Sequence, residues 1–458
     1  MKLRKNEVLD NFISMIRLKT VSTVSGGEEE EAVFGEFRRL LKERYPLVFG
    51  RAEVRLIGRR GLLLRIPGRK DGDPTVLMAH YDVVPADGRG WCSDPFGAEI
   101  RGGRVIGRGT LDTKSTLCAI LEAVTYCLEN GIVPLHDLYL SFGGEEDISG
   151  SCCSEIVDEL ASRKIRPFLV LDEGGTVVPE GVPGIKKQAA MIGIAEKGTA
   201  NYRIVIGNGS GGHAAAPPRH TLAGRLAACA VEIESHPFPT RISGPVRKMF
   251  RELADEAPLY VRPLFAHPEQ AAPLIRAAAP VLGSTFNAMV RTTTAVTVMN
   301  SGTALNMLPD RAEMAVNVRL LEGDTTETAA AHLRSVISDP DAEISLIAGT
   351  DPTPVSETDC DAWRLLKRVI ASTWKDTVIA PYQMNGGTDA RFYSRISDHV
   401  YRFSPMVMTS KERATVHGIN ESIAISSLMT AVAFYIRLIT ELSIFDTGAP
   451  RTIPLRES

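Results

Sequence analysis

Three stretches of the chain end apolar runs on groups able to hold cations. Val76-Leu77-Met78-Ala79 leads into His80-Tyr81-Asp82, Gly109-Thr110-Leu111 into Asp112, and Phe142-Gly143-Gly144 into Glu145-Glu146. Imidazole and carboxylate are ligands that zinc accepts at about 2.0–2.2 Å. Asp172 closes a further apolar run over residues 168–171, and His417 supplies a second imidazole in Val416-His417-Gly418-Ile419-Asn420-Glu421. Taken singly, each has an ordinary alternative. His80 would serve as a strand-end histidine bonded to backbone, Asp112 as an acid capping a helix N-terminus, and Glu145-Glu146 as a surface pair. Adjacent acids at a strand end nevertheless repel unless a cation compensates. Together His80, Asp112, Glu145, Glu146, Asp172 and His417 suit a two-metal site, whose ions sit about 3.5–4 Å apart. Asp82, two residues from His80, is placed to orient a metal-bound imidazole from behind.

Two glycine-rich runs imitate nucleotide loops and fail the test. Residues 109–115 lack the Gly-Lys-Ser/Thr of a phosphate loop, since Thr113 precedes Lys114 and Asp112 would repel phosphate. Gly207-Asn208-Gly209-Ser210-Gly211 has no acid at the distance a dinucleotide fold requires. Three further residues stand in glycine-rich or turn contexts: His213 after Gly211-Gly212, Asn306 before Met307-Leu308-Pro309, and Arg391 at the end of Gly386-Gly387-Thr388-Asp389-Ala390. The glycines let backbone approach a ligand closely, or serve as plain loop punctuation.

The elements that must position these groups are legible as periodicity. Residues 7–18 and 28–42 repeat apolar side chains at helical spacing, as do 114–129 with Leu117, Ile120, Leu121, Val124 and Leu128. Residues 52–57, 62–66, 75–79, 137–142 and 168–171 are short and β-branched or aliphatic, so they predict strands. The run over 75–79 is nearly all apolar, the mark of a strand buried on both faces of a parallel sheet. Gly102-Gly103 predicts a hairpin turn within 97–109. The spacing thus predicts an α/β domain with a mainly parallel twisted sheet flanked by helices, whose ligand-binding crevice lies at the carboxyl ends of the strands. Near residue 197 the pattern changes to β-α-β-β-α-β, the ferredoxin-like α+β order, interrupted by a Pro- and Ala-rich, partly helical insert over about 238–286. Residues 1–196 and 351–458 are expected to form one discontinuous domain, and 197–350 a smaller inserted one.

Composition narrows the class. The chain has 458 residues, 44% hydrophobic and 23% charged, with a formal net charge of −3, which argues against nucleic acid or an anionic membrane as partner. Acids at Glu7 and Asp10 break the apolar region that a signal peptide requires, and no uninterrupted apolar span of about 18 residues stands out. A cytoplasmic protein is expected. Seven scattered cysteines without a Cys-x-x-Cys pair point to buried thiols rather than disulfides or a cysteine-type structural zinc.

In order, His80-Tyr81-Asp82-Val83-Val84-Pro85, Gly107-Arg108-Gly109-Thr110-Leu111-Asp112-Thr113-Lys114, Glu145-Glu146 and Asp172-Glu173-Gly174 resemble the co-catalytic zinc aminoacylase and carboxypeptidase family, peptidase family M20. Gly212-His213-Ala214-Ala215-Ala216-Pro217-Pro218, Gly387-Thr388-Asp389-Ala390-Arg391 and the His417 segment are most similar to its carboxypeptidase S, or Gly-X carboxypeptidase, branch, which includes N-acyl-amino-acid hydrolases. The resemblance spans nearly the whole chain. It implies two zinc ions per chain, with cobalt or manganese as substitutes. His80 and Asp172 would hold one, Glu146 and His417 the other, with Asp112 between them, Asp82 behind His80 and Glu145 as general base. It implies that His213 reaches the reacting carbonyl, that Asn306 and Arg391 hold the substrate, and that the smaller domain is a lid through which a homodimer forms. The expected activity is hydrolysis of an amide bond in a dipeptide, short peptide or N-acyl amino acid with a free carboxylate. The alternatives are a deacylase of a polar biosynthetic intermediate and a catalytically silent binding protein on the same fold. Thr113 stands where the family often has a second acid, and an extra glycine precedes His213.

Overall fold

The computed structural model describes residues 3–182, 184–207, 211–279 and 281–447, so residues 208–210 of the glycine-rich run lie outside the described residues. The chain divides into two compact units, the first drawn from Met1–Ile194, Ser356–Tyr382 and Thr388–Ser458, the second from Ala195–Val355 and Gln383–Gly387.

The first unit is built on an eight-stranded sheet ordered Glu53–Ile57, Gly61–Ile66, Leu138–Gly143, Thr75–His80, Leu169–Val178, Val400–Val407, Ala189–Glu196 and Val378–Met384. Its four central strands run parallel. Every residue of Thr75–His80 and of Leu138–Gly143 is buried, as the unbroken apolar runs predicted. The strand Glu53–Ile57 at the edge is largely exposed. Gly102 and Gly103, at φ +57° and +75°, make the expected hairpin turn between Glu99–Arg101 and Arg104–Ile106.

The helix Lys114–Glu129 packs against Ile425–Leu442. Trp374, Phe403 and Phe434 pack mutually with centroids 5.7–5.9 Å apart. Each such ring contributes about 1.5–3 kcal/mol by leaving water. Ile425–Leu442 departs from the expectation that no membrane-length span exists, because its mean hydropathy of 1.4 over 18 residues would suffice by length and composition. Its Ser, Thr, Arg and Glu residues disguise it in the sequence, and 61% of it is buried inside the protein, as in a core helix.

The second unit carries a four-stranded antiparallel sheet ordered Thr293–Ser301, Ala312–Leu320, Gly198–Ile206 and Glu343–Thr350. Ala312–Leu320 alternates buried and half-buried residues along its length. Its inner face joins Leu226 and Ile233 of the helix Leu222–Ser235 and Leu333 of Thr326–Val336 in one core. The chain order is the predicted β-α-β-β-α-β. The insert folds into short helices, among them Gly244–Ala254 and Arg262–Ala266, joined by the Phe250–Phe265 ring contact at 4.9 Å.

Candidate metal centre

The site forms where the central strands of the first unit end. His80 is the last residue of Thr75–His80, and its ring is almost wholly buried. Its Nδ1 lies 3.1 Å from the Asp82 carbonyl oxygen and 3.3 Å from Asp82 Oδ1. Asp82 does more than orient this ring. Its carboxylate also accepts the Ser22 hydroxyl at 2.7 Å and the backbone N–H groups of Glu146 and Asp147 at 3.2 and 3.1 Å. One buried carboxylate therefore ties the His80 strand end to the acidic turn.

Asp112 stands between the two imidazoles. Its Oδ1 is 2.8 Å from His80 Nε2 and its Oδ2 is 2.9 Å from His417 Nε2. His417 also meets Asp147 Oδ1 at 3.2 Å, and His80 Nε2 meets Glu173 Oε1 at 3.2 Å. The ligand-type atoms of His80, Glu146 and Glu173 lie within 4.8 Å of one another, as do those of Asp112, Asp147 and His417.

A buried ion pair holds the two loops in register. Glu421, fully buried, receives Arg108 Nη1 at 2.7 Å and the N–H groups of Leu111, Gly109 and Asp112 at 2.7, 3.2 and 3.2 Å. Arg108 Nη2 in turn donates to the carbonyls of His417 and Gly418 at 3.2 and 3.0 Å. That grip stabilises His417 at φ +60°, a left-handed conformation that costs a non-glycine residue roughly 1–2 kcal/mol. Nothing in the spacing of Arg108 and Glu421, 313 residues apart, advertises the pair.

The structure brings His80, Asp82, Asp112, Glu146 and His417 together, and the two other expected residues, Glu145 and Asp172, each accept a backbone N–H. Glu145 turns elsewhere, its Oε2 accepting the Cys152 N–H at 3.2 Å, while Glu146 and Asp147 face the imidazoles. Asp172 borders the same space as His80 and Glu146, its Oδ2 accepting the Ala390 N–H at 3.0 Å, and its neighbour Glu173 reaches His80. The cause at Glu173 is a bulge: Arg402 pairs with Asp172 but Phe403 pairs with Gly175, so Glu173 and Gly174 are extra residues in the ladder. A bulge re-aims a side chain, and Gly174 at φ +135° permits it.

The charges of this site suit cations. Burial, together with Glu173, Asp389 and Asp112, pushes the Glu146 carboxyl well above its usual range despite His80. Burial and Asp112 push Glu173 up to about 8. His417 is raised to about 10 by its bonds to Asp112 and Asp147. Burial lowers His80, but Glu173, Asp112 and Asp82 outweigh it and hold the ring well above its ordinary value. Asp147 Oδ1 is buried against His417 Nε2 at 3.2 Å. Four acids and two imidazoles converging in one space fit divalent metal, which satisfies carboxylate oxygens and relieves the repulsion among the acids. Asp389, which the sequence reading passed over, also borders this space, pushed up to about 7 by burial against the pull of Arg391.

Arg391 lies beside Asp389, its Nη1 donating to the Thr388 carbonyl at 3.0 Å. His213 and Asn306 belong to the second unit. His213 pairs with Met307 in a two-residue ladder, its Nδ1 accepts the Ala215 N–H at 3.0 Å, and Ala214 N–H bonds the Asn306 carbonyl at 3.0 Å. The structure thus sets His213 in a two-residue strand pair and Asn306 in the turn just before its partner strand, both exposed.

With this geometry in place, the comparisons with known proteins agree. Residues 76–441 match the Peptidase family M20/M25/M40. The chain is 33% identical over 443 residues to the N-fatty-acyl-amino acid synthase/hydrolase PM20D1.1 of Danio rerio, covering 95% of this chain and 85% of that protein. It is 32% identical over 440 residues to the probable carboxypeptidase S-like 2 of Dictyostelium discoideum, covering 93% and 83%. In fold it is similar to the M20 family metallo-carboxypeptidase Sso-CP2 of Sulfolobus solfataricus, with a TM-score of 0.71 at 18% identity over 96% of this chain and 99% of that one. Human carnosine dipeptidase 1 follows with a TM-score of 0.66 at 13% identity, over 96% and 97%. The expected branch, carboxypeptidase S together with N-acyl-amino-acid hydrolases, is the one these relatives represent. This chain belongs to peptidase family M20/M25/M40, a family of metal-dependent amide hydrolases.

Proposed function

We propose that the chain hydrolyses N-acyl amino acids carrying a large apolar acyl group, using two zinc ions. One ion would be held by His80, Asp112 and Glu173, the other by Asp112, Asp147 and His417. The observation that carries this reading is Asp112, one carboxylate set between two imidazoles at 2.8 and 2.9 Å. When bound, the ions would supply Lewis acidity and a water whose pKa falls toward about 7.

The remaining steps belong to the chain. Glu146, in the His80 cluster and free of the backbone bond that occupies Glu145, takes the proton of the attacking water and returns it to the leaving amine. Burial and the neighbouring acids raise its carboxyl above the ordinary range, which suits a group that must take up and return a proton. Asp82 holds the His80 ring and the Glu146-Asp147 turn in place throughout. His213 and Asn306 would meet the reacting carbonyl, and the planar fork of Arg391 would hold the substrate carboxylate through two parallel bonds. The choice of an N-acyl amino acid rests on the activity for which the relative at 33% identity is named. A homodimer through the second unit and a cytoplasmic location complete the proposal.

The test is release of free amine from N-acyl amino acids of graded chain length and from dipeptides, before and after chelation and zinc replenishment. The expected result is zinc-restored release that rises with acyl length. Preference for short polar acyl groups would move the assignment to a deacylase of a polar intermediate.

A further inference from the structure

A second convergence of ligand-type side chains lies at the opposite, amino-terminal end of the same parallel strands. We infer that Glu357, Cys360 and His399 form a binding site for a zinc-class divalent cation, separate from the hydrolytic centre. Their ligand atoms lie within 4.8 Å of one another. His399 immediately precedes the strand Val400–Val407, and in its register Arg402 pairs with Asp172. Three residues of strand separate His399 from that level, roughly 10 Å at about 3.3 Å per residue.

The local bonding prepares each ligand. His399 Nδ1 lies 2.8 Å from the Phe168 carbonyl, an acceptor only, so the Nδ1–H is donated there and the Nε2 lone pair is left for a metal. That Nε2 is 3.8 Å from Glu357 Oε2. Two ligands 2.0–2.3 Å from a tetrahedral ion stand roughly 3.3–3.7 Å apart. The Glu357 side chain is 63% exposed and His399 only 19%, so the carboxylate is the mobile member that closes the small remaining gap.

Cys360 supplies the soft ligand. Its sulfur caps the 13-residue helix Asp361–Thr373, accepting the Trp363 N–H at 3.5 Å, and lies 3.3 Å from Tyr401 Oη. A cavity of about 360 Å³, bordered also by Phe168, Arg364 and Asp446, opens onto the cluster. It leaves room for water as a fourth ligand. One sulfur, one imidazole and one carboxylate with an open position match the ligand set of zinc, and binding would release the thiol proton.

The test uses the full chain titrated with cobalt(II). Cobalt bound to a thiolate gives a near-ultraviolet charge-transfer band, and none of the residues assigned to the hydrolytic centre is a cysteine. The band is expected in the wild type and absent from Cys360→Ser, which keeps an oxygen acceptor at the helix cap and so retains the fold, as circular dichroism would verify. His399→Gln, which keeps a donor for the Phe168 carbonyl, should weaken cobalt at this site about 10-fold or more. Cys92→Ser, which removes the exposed thiol, should leave the band intact. No charge-transfer band at saturating cobalt, a band that survives Cys360→Ser, or one lost in Cys92→Ser would each overturn the inference. Amine release by Cys360→Ser should match the wild type, so a failure of the hydrolase reading would appear there and not in this band.

Discussion

Glu146→Gln removes the proposed base while keeping shape and hydrogen-bonding capacity. A positioned general base contributes about 10²–10⁴-fold to rate, which is about 2.7–5.4 kcal/mol of barrier at 1.36 kcal/mol per tenfold. The loss should fall on kcat. Stability should hold or improve, because Glu146 is crowded by Glu173, Asp389 and Asp112 and a neutral amide ends that repulsion. The matched control is Glu145→Gln. Its side-chain oxygen still accepts the Cys152 N–H but without charge assistance, a change of about 0.5–1.5 kcal/mol in stability with kcat within a few-fold of wild type. Both variants, loaded with zinc, would be assayed for amine release, for metal content by mass spectrometry, and for thermal unfolding. A hundredfold loss in Glu145→Gln alongside near-normal turnover in Glu146→Gln would refute the assignment. It would mean that the turn after Gly144 presents its first acid, not its second, to the substrate.

Asp147→Asn and Glu173→Gln should each lower metal content by about one ion per chain, whereas Asp172→Asn should leave it unchanged. Equilibrium dialysis decides this, and metal loss confined to Asp172→Asn would reverse the assignment. Glu421→Ala strands the buried Arg108 charge and should cost about 3–5 kcal/mol of stability, with metal affinity about 10- to 100-fold lower because the loops of Asp112 and His417 lose their common anchor. Chelator competition and melting curves would read both, and wild-type values for either would sink the positioning role. Lys197, whose ammonium donates to the Ala288 and Arg291 carbonyls at 3.0 and 2.8 Å, is pushed by burial from 10.5 down to about 7. Between those pH values the unfolded chain holds more of this proton than the folded one. Stability should therefore rise with pH there, by at most about 1.4 kcal/mol per pH unit from this group. Lys197→Met should show a flatter pH dependence in denaturant unfolding at pH 7, 8 and 9, and an unchanged slope would exclude the effect.

Much of the fold is legible because burial writes a period into the chain. The apolar run ending at His80 can only be a strand buried on both faces, and the helical stripe from Leu117 to Leu128 finds its partner in Ile425–Leu442. The second unit's order follows from the alternation of 2.0 and 3.6 residue periods. His80, Asp82, Asp112 and His417 are readable because each ends or interrupts such a pattern with a metal-ligand side chain.

The strand from Leu169 through Val178 and the acidic turn mark where that legibility stops. A strand buried on both faces shows no polar–apolar alternation, so the sequence does not say which of Asp172 and Glu173 points toward the crevice. A two-residue bulge against Val400–Val407 is what aims Glu173 at His80 beside Asp172. Glu145-Glu146-Asp147 lies beyond the strand in a turn, where no fixed period governs direction. The Cys152 N–H and the Asp82 carboxylate choose which acids face the histidines. The Arg108–Glu421 pair is likewise a product of closure. The sequence by itself determined the element types, the family and most of the candidate ligand set, because those depend on local pattern and residue chemistry. The tertiary structure alone decided how the neighbouring acids are aimed, because hydrogen bonds and strand register with residues distant in the chain set those directions.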